Sequence, residues 1–263
     1  MLKLGVIEVL NTLPIHYAIL EGLVPLPCEL IHGRVTLLNE KLNQGLLDLS
    51  VVSSFEYARN PELYRILPSL SVSSAGPVKS IYLFSQVPIE QLAGETIQLT
   101  AFSLTSVHLV QFLLKDLQPN YVQGESPQAK ATLLIADEAI QRYYSHEDAY
   151  VYDLGDLWWK KMGVPFAFAL WVVREEVWQA EPESVRQAHL ALLESKAMSE
   201  SLLDEMAASH YRGIFPDQAS CLAYLKNLHY DFTVPYQRGF EQFMAEMVKL
   251  TKLKQIAPLR FID

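Results

Sequence analysis

The stretch Thr96–Leu117, TIQLTAFSLTSVHLVQFLLKDL, decides the predicted fold because its hydrophobic period changes midway. Ile97, Leu99 and Ala101 alternate with polar residues, which is the period of a β-strand. From Val107 onward the apolar residues are spaced three or four apart, which is the period of a helix. The stretch therefore predicts a strand, a tight turn and a helix.

The turn in this stretch carries three hydroxyl side chains, those of Ser103, Thr105 and Ser106. Such residues cap helices by accepting hydrogen bonds from the free backbone N–H groups of the first turn. A helix that begins after a strand also presents those N–H groups and its positive dipole end to an anion. One hydroxyl is enough for a cap, so an ordinary cap and an anion site both remain open.

A similar junction occurs earlier, where the apolar strand Leu46–Val52 meets Ser53 and Ser54. The first strand, Leu2–Leu10, ends at Asn11, a position at which open α/β sheets bind ligands. The alternative is that Asn11 only forms a turn. Because strands and helices alternate at this spacing, the sequence predicts an α/β fold with mixed, mostly parallel sheets.

The chain is expected to cross into a second lobe and return, with a ligand cleft between the lobes. Ser80–Phe84 predicts the outgoing strand, and Phe166–Arg174 predicts the returning strand. The first lobe is expected to comprise residues 1–84 and 171–263, and the second residues 85–170. Beyond the returning strand the periodicity predicts long helices.

Composition excludes several classes of protein. Half of the 263 residues are hydrophobic and the net charge is −9, which argues against a nucleic-acid-binding surface. No apolar run is long enough to span a membrane, and the N-terminus lacks the pattern of a secretion signal. Cys28 and Cys221 match no metal or redox spacing and are interpreted as free thiols. The sequence predicts a cytoplasmic protein without a membrane or nucleic-acid partner.

No cofactor is predicted. No cluster of His, Cys and acidic residues has the spacing of metal ligands, and no glycine-rich phosphate loop is present. We therefore expect neither a metal nor an organic cofactor.

Seven segments, in order, resemble one known family. They are LNTLP (10–14), LDLSVVSSFEYAR (47–59), GPVKSIYLFS (76–85), SLTS (103–106), LLIADEA (133–139), YDLGDLW (152–158) and GVPFAFALWVVR (163–174). Together they are similar to the menaquinone-biosynthesis chorismate dehydratase of the futalosine route. The similarity covers most of the chain up to Arg174, and the helical remainder resembles the family only in length and pattern.

The resemblance implies a two-lobed fold like that of the type II periplasmic binding proteins. It also implies a hydro-lyase that converts chorismate, a dicarboxylate, into 3-[(1-carboxyvinyl)oxy]benzoate and water. In that family the asparagine of the LNTLP-like segment and the serine of the crossing segment line the active site, so Asn11 and Ser80 are the catalytic candidates.

Two helix starts, one in each lobe, could each receive one substrate carboxylate. The substrate-binding candidates at these starts are Ser53, Ser54, Ser103, Thr105 and Ser106. Asp137 is a further candidate at a strand end, although an acid in such a position often caps the next helix.

The elimination removes a ring proton and the neighbouring hydroxyl, and the sequence leaves the identity of the base open. We expect the substrate's own side-chain carboxylate to take the proton while Asn11 donates a hydrogen bond to the departing hydroxyl. His16 and His32 are alternative bases, although His16 is interpreted as a residue on a helix surface.

Two other functions remain open. One is a non-catalytic protein that binds small carboxylates with the same fold, because fold does not imply function. The other is the sister enzyme of the same route, which makes a dihydroxynaphthoate. The LNTLP and SSFEYAR segments favour the dehydratase. The oligomeric state, monomer or homodimer, also stays open.

Overall fold

The computed structural model describes all 263 residues, and strands alternate with helices up to Arg174. The ten strands are Leu2–Ile7 (β1), Cys28–Gly33 (β2), Leu49–Ser53 (β3), Tyr64–Ser74 (β4), Ile81–Ser85 (β5), Thr96–Leu99 (β6), Asn120–Gln123 (β7), Ala131–Ile135 (β8), Tyr150–Asp153 (β9) and Phe166–Arg174 (β10). The ten helices are Leu13–Leu20 (α1), Val35–Asn43 (α2), Ser54–Arg59 (α3), Leu104–Leu113 (α4), Ala136–Ser145 (α5), Leu154–Met162 (α6), Glu175–Ala180 (α7), Pro182–His210 (α8), Gln218–Leu225 (α9) and Val234–Lys249 (α10).

The strands form two five-stranded sheets, ordered β2-β1-β3-β10-β4 and β7-β6-β8-β5-β9. In the first sheet β1 pairs parallel with β2 and β3, whereas β10 pairs antiparallel with β3 and β4. In the second, β6 pairs parallel with β7 and β8, whereas β5 pairs antiparallel with β8 and β9. The α/β class with mixed sheets is confirmed. The expected excess of parallel pairs is wrong, because each crossing strand enters its sheet antiparallel to both neighbours.

The two crossing strands each belong to one sheet along their whole length. β5 pairs only in the second sheet, and β10 pairs only in the first. Sheet membership therefore divides the chain before Ile81 and before Phe166. The boundaries expected from the sequence, after residues 84 and 170, instead cut through these strands.

Asp153 fixes the connection between the two lobes. Its carboxylate accepts hydrogen bonds from the N–H groups of Gly155 at 2.8 Å and Asp156 at 3.1 Å, and so caps α6. It also accepts from Val78 N at 3.0 Å and Lys79 N at 2.7 Å, in the segment that leads into β5. One side chain thus holds both the start of a helix and the outgoing crossing.

A single hydrophobic cluster of 68 buried residues runs through both lobes, so the lobes share a core. Trp158 of α6 joins them, with its ring centroid 4.9 Å from that of Phe166 and 6.2 Å from that of Phe243 in α10. The helix α10 passes very close to the start of β10, since a Cβ on Gly239 would lie 1.9 Å from the carbonyl oxygen of Pro165.

The C-terminal part of the chain covers the edge of the first sheet at β4. Ser71 N donates to the carbonyl of Tyr230 at 2.9 Å, and Ser73 exchanges two backbone hydrogen bonds of 2.9 Å with His229. These bonds occupy an edge that would otherwise be free to pair with another chain. None of the ten helices is both long enough and apolar enough to cross a lipid bilayer.

Candidate functional site

A cleft of about 690 Å³ lies between the two sheets. It is lined by the ends of β1, β3 and β8, by the starts of α2, α4 and α5, and by residues of β10. A cavity of this size is typical of small-molecule sites. The charged side chains in its wall are those of Glu8, Arg34, Asp137 and Glu138.

Five of the eight residues proposed from the sequence line this cleft. They are Asn11, Ser53, Ser103, Ser106 and Asp137. The other three are buried behind its wall, and they are Ser54, Ser80 and Thr105.

Asn11 lies in a one-turn 3-10 helix that directly follows β1. The hydroxyl of Thr12 holds this turn against the strand end, because it donates to the carbonyl of Ile7 at 3.0 Å and to that of Val9 at 3.1 Å. The Asn11 side chain lines the cleft and makes no hydrogen bond with the protein. Its amide is therefore available to a ligand.

The start of α4 forms one wall of the cleft. Ser103 Oγ accepts from Ser106 N at 3.1 Å, which is an N-cap, and the two hydroxyl oxygens are 3.0 Å apart. Both side chains line the cleft. The same two serines therefore cap the helix and present hydroxyls to the cavity.

The start of α3 is occupied by protein groups. Ser53 Oγ accepts from Glu56 N at 3.3 Å, and Thr105 Oγ1, from the other lobe, accepts from Phe55 N at 2.9 Å. The expectation that this helix end receives a substrate carboxylate is therefore wrong, because protein side chains already occupy these N–H groups. Thr105, expected to contact substrate at the start of its own helix, instead caps a helix of the opposite lobe.

Ser54 and Ser80 also make contacts away from the cleft. Ser54 Oγ donates to the carbonyl of Ala167 at 2.6 Å and is fully buried. Ser80 is 1% exposed, and its hydroxyl lies beside the phenol of Tyr224. Ser80 is the residue before β5, and it does not line the cleft, whereas its neighbour Ile81 does. The expected position of Ser80 on the cleft floor is therefore wrong.

Asp137 lines the cleft at the start of α5, in the second lobe. Its carboxylate lies close to Leu10 N of the first lobe, next to Asn11. Burial raises the pKa of this carboxyl, against the opposing effects of the Leu10 N–H and of His210. The alternative that Asp137 caps its own helix is wrong, because the N-cap of α5 is Ile135 and no side chain caps that helix.

No histidine lines the cleft. His16 is 2% exposed, and its Nε2 accepts from Trp171 Nε1 at 3.2 Å. Burial lowers the pKa of His16 to about 4, with a smaller contribution from the nearby charge of His32. The interpretation of His16 as a surface residue is wrong, and His32 lies outside the cleft with its Nδ1 3.2 Å from Glu8. Both residues instead line an adjoining cavity of about 260 Å³, which Asp137 also lines.

Arg34, which was not predicted from the sequence, lines the cleft where β2 leads into α2. A single arginine between a strand and a helix belongs to no recognisable pattern, so nothing in the sequence pointed to it. Phe102 and Phe168, which add aromatic surface to the cleft, were missed for the same reason.

Metal ligands are not grouped anywhere in the fold. No set of three or more His, Cys, Asp or Glu side chains is arranged to hold a metal ion. The absence of a cofactor stays a prediction that activity measurements must test.

Comparison with known proteins connects the chain to menaquinone biosynthesis. A family model described as menaquinone biosynthesis matches residues 2–249. The chain is 30% identical to the chorismate dehydratase of Thermus thermophilus, over 91% of this chain and 93% of that protein.

Solved structures share the fold. Protein AF1704 from Archaeoglobus fulgidus superposes with a TM-score of 0.72 at 19% identity, covering 95% of this chain and 97% of that one. The periplasmic aliphatic sulphonate binding protein SsuA from Escherichia coli gives a TM-score of 0.66 at 13% identity, covering 98% and 90%. The expected likeness to periplasmic binding proteins is therefore confirmed for the fold.

Proposed function

The chain belongs to the menaquinone biosynthesis family, and on that premise we propose that it is a chorismate dehydratase. The observation that carries the proposal is the 30% identity with a chorismate dehydratase over 91% of the chain. The reaction is the hydro-lyase step that turns chorismate into 3-[(1-carboxyvinyl)oxy]benzoate and water. A cleft between two lobes supports it, because a site recessed from bulk water favours an elimination over side reactions.

The proposed reaction breaks one C–H and one C–O bond of the substrate ring. The side-chain carboxylate of the substrate takes the ring proton, the electron pair of that bond forms the new double bond, and the hydroxyl departs. The departing oxygen takes up that proton from the side-chain carboxyl group and leaves as water, which restores the carboxylate, while the ring becomes aromatic. Holding these groups in one geometry lowers the barrier by roughly 7–11 kcal/mol in favourable intramolecular cases.

Asn11 is the catalytic residue in this scheme. Its unpaired amide lines the cleft and donates to the hydroxyl as negative charge develops there. Asp137 lies beside the turn that carries Asn11, close to Leu10 N.

One substrate carboxylate is assigned to the start of α4. The hydroxyls of Ser103 and Ser106 line the cleft there, beside the positive end of the helix dipole. A helix start of this kind stabilises an anion by about 0.3–2 kcal/mol. A cytoplasmic location agrees with a biosynthetic role and stays a prediction, as does the oligomeric state.

The test is to mix the purified protein with chorismate and follow aromatic product by ultraviolet absorbance and mass spectrometry. We expect a product that has lost one water, formed at a rate that a metal chelator does not change. Activity that is abolished by the chelator and restored by one metal would overturn the expectation of no cofactor. Binding of chorismate without turnover would favour the non-catalytic binding protein instead.

A further inference from the structure

The wall of the cleft carries more acidic than basic side chains. Glu8, Asp137 and Glu138 face a single cationic side chain, that of Arg34. The whole chain has a net charge of −9, so its long-range field also opposes the approach of an anion. A dianionic substrate therefore needs a local positive charge to enter this cleft.

Arg34 is free to supply that charge. Six of the nine arginines form ion pairs within the protein, and they are Arg59, Arg65, Arg142, Arg174, Arg186 and Arg260. Arg34 forms none, and its guanidinium makes no hydrogen bond with the protein. An unpaired guanidinium in the wall of a cavity keeps all five donors for a ligand.

The start of α3 cannot bind the substrate carboxylate that was expected there, because its N–H groups already form hydrogen bonds within the protein. Phe55 N and Glu56 N are already satisfied by Thr105 and Ser53, so the first lobe offers no free N–H pair at that helix start. The start of α4 accounts for one carboxylate of the substrate. The second must be bound by a different group in the cleft wall.

We propose that Arg34 binds one of the two carboxylates of the substrate and gives the cleft its preference for dicarboxylates. The inference rests on the proposed function for the identity of the substrate. The planar guanidinium matches a carboxylate with two parallel hydrogen bonds, which a lysine ammonium cannot reproduce. Arg34 thus determines specificity, and the chemistry is left to other groups.

The test compares ligand binding by calorimetry in Arg34→Gln, Arg34→Lys and a matched control, Arg238→Gln. Arg238 is also exposed and without an ion pair, but it lies on α10, outside the cleft. With 3-[(1-carboxyvinyl)oxy]benzoate as ligand, we expect Arg34→Gln to bind about tenfold more weakly than the wild type, with Arg34→Lys between them. The control should bind as the wild type does. Equal affinity of wild type and Arg34→Gln, with both folded by circular dichroism, would overturn the proposal.

Two monocarboxylates identify the carboxylate that Arg34 contacts. 3-Ethoxybenzoate keeps only the ring carboxylate, and 2-phenoxyacrylate keeps only the side-chain carboxylate. The Arg34→Gln substitution should weaken binding of one of them and leave the other within about twofold of the wild type. An equal effect on both would contradict a contact with a single carboxylate.

These binding measurements are separate from turnover, so the two proposals can fail independently. If the wild type binds the dicarboxylate through Arg34 but does not dehydrate chorismate, the proposed function fails and the role of Arg34 stands. If chorismate is dehydrated and Arg34→Gln leaves both KM and kcat unchanged, the role of Arg34 fails alone.

Discussion

Thr105 in the second lobe caps a helix of the first lobe, because its Oγ1 lies 2.9 Å from Phe55 N. The ring of Phe55 also packs on that of His108, with centroids 3.8 Å apart. Asp137 of the second lobe also lies close to Leu10 N of the first. The arrangement of the two lobes is therefore held by direct contacts between them.

Replacing Thr105 by valine keeps the volume of the side chain and removes the acceptor for Phe55 N. A buried N–H left unsatisfied costs about 1–3 kcal/mol. We therefore expect the two lobes to be held together less tightly in this variant than in the wild type. Small-angle scattering should show a larger radius of gyration than that of the wild type. Thr36→Val, at an exposed position on α2, is the control and should leave the scattering unchanged. Identical curves for Thr105→Val and wild type would contradict a role in closure.

Asn11→Ala removes an amide that lines the cleft and that we propose to be catalytic. We expect the turnover of chorismate to fall by more than tenfold, a loss above about 1.4 kcal/mol of transition-state stabilisation. Asn11→Asp should lose as much, because an ionised carboxylate replaces the donor. Folding should persist in Asn11→Ala, since the side chain makes no hydrogen bond with the protein. Steady-state kinetics with Asn120→Ala, at an exposed strand residue, provides the control. If a folded Asn11→Ala variant turns chorismate over at the wild-type rate, then another group must be the donor to the departing hydroxyl.

Asp137→Asn should change how stability depends on pH. Because burial raises the folded-state pKa of Asp137 above its ordinary value of 3.8, the carboxyl stabilises the fold when protonated and loses that contribution as pH rises. Asparagine has the same size and does not ionise. The unfolding free energy of Asp137→Asn relative to wild type should therefore increase from about pH 4 to about pH 7. Urea denaturation across this range measures it, and a difference that is constant with pH would contradict the expectation.

His16 should make the protein less stable in acid. Its pKa is lowered from 6.5 to about 4, so the unfolded chain binds a proton that the folded state refuses. The contribution of the neutral ring is complete above pH 6.5 and is lost as pH falls toward 4. His16→Gln keeps an acceptor for Trp171 Nε1 and should lack this part of the dependence. Nitrogen-detected NMR of the imidazole checks the cause directly, and a His16 that titrates near 6.5 would refute it.

The strand and helix periods predicted most elements but not all of their lengths. Phe166–Arg174 was predicted with the bounds that β10 has, because a continuous apolar run is unambiguous. In β4, by contrast, Pro68 interrupts the apolar pattern, and Ser69 adopts a positive φ of 59°. The strand continues past this irregularity, where its register with β10 shifts. A bulge of this kind leaves no period to recognise.

The candidate site was less predictable because the partners of its side chains lie far away in sequence. The hydroxyl of Ser54 bonds a carbonyl 113 residues later, and that of Thr105 bonds an N–H 50 residues earlier. The local sequence shows that a hydroxyl is present, but it does not show which distant group forms a hydrogen bond with it. His16 was interpreted as a residue on a helix surface, whereas Pro14–Ile19 are all buried. A helix buried on every side has no polar face to indicate orientation.

The order of strands in the first sheet has a consequence for the growing chain on the ribosome. β10 lies between β3 and β4 in the sheet. Neither of these strands can therefore complete its pairing with β10 until Arg174 has been synthesised. All strands of the second sheet lie between Ile81 and Asp153, in one uninterrupted segment. Domains fold as units as they emerge during translation. The lobe encoded in the middle of the gene can therefore complete its sheet first, while the lobe that contains the N-terminus waits for the chain to return.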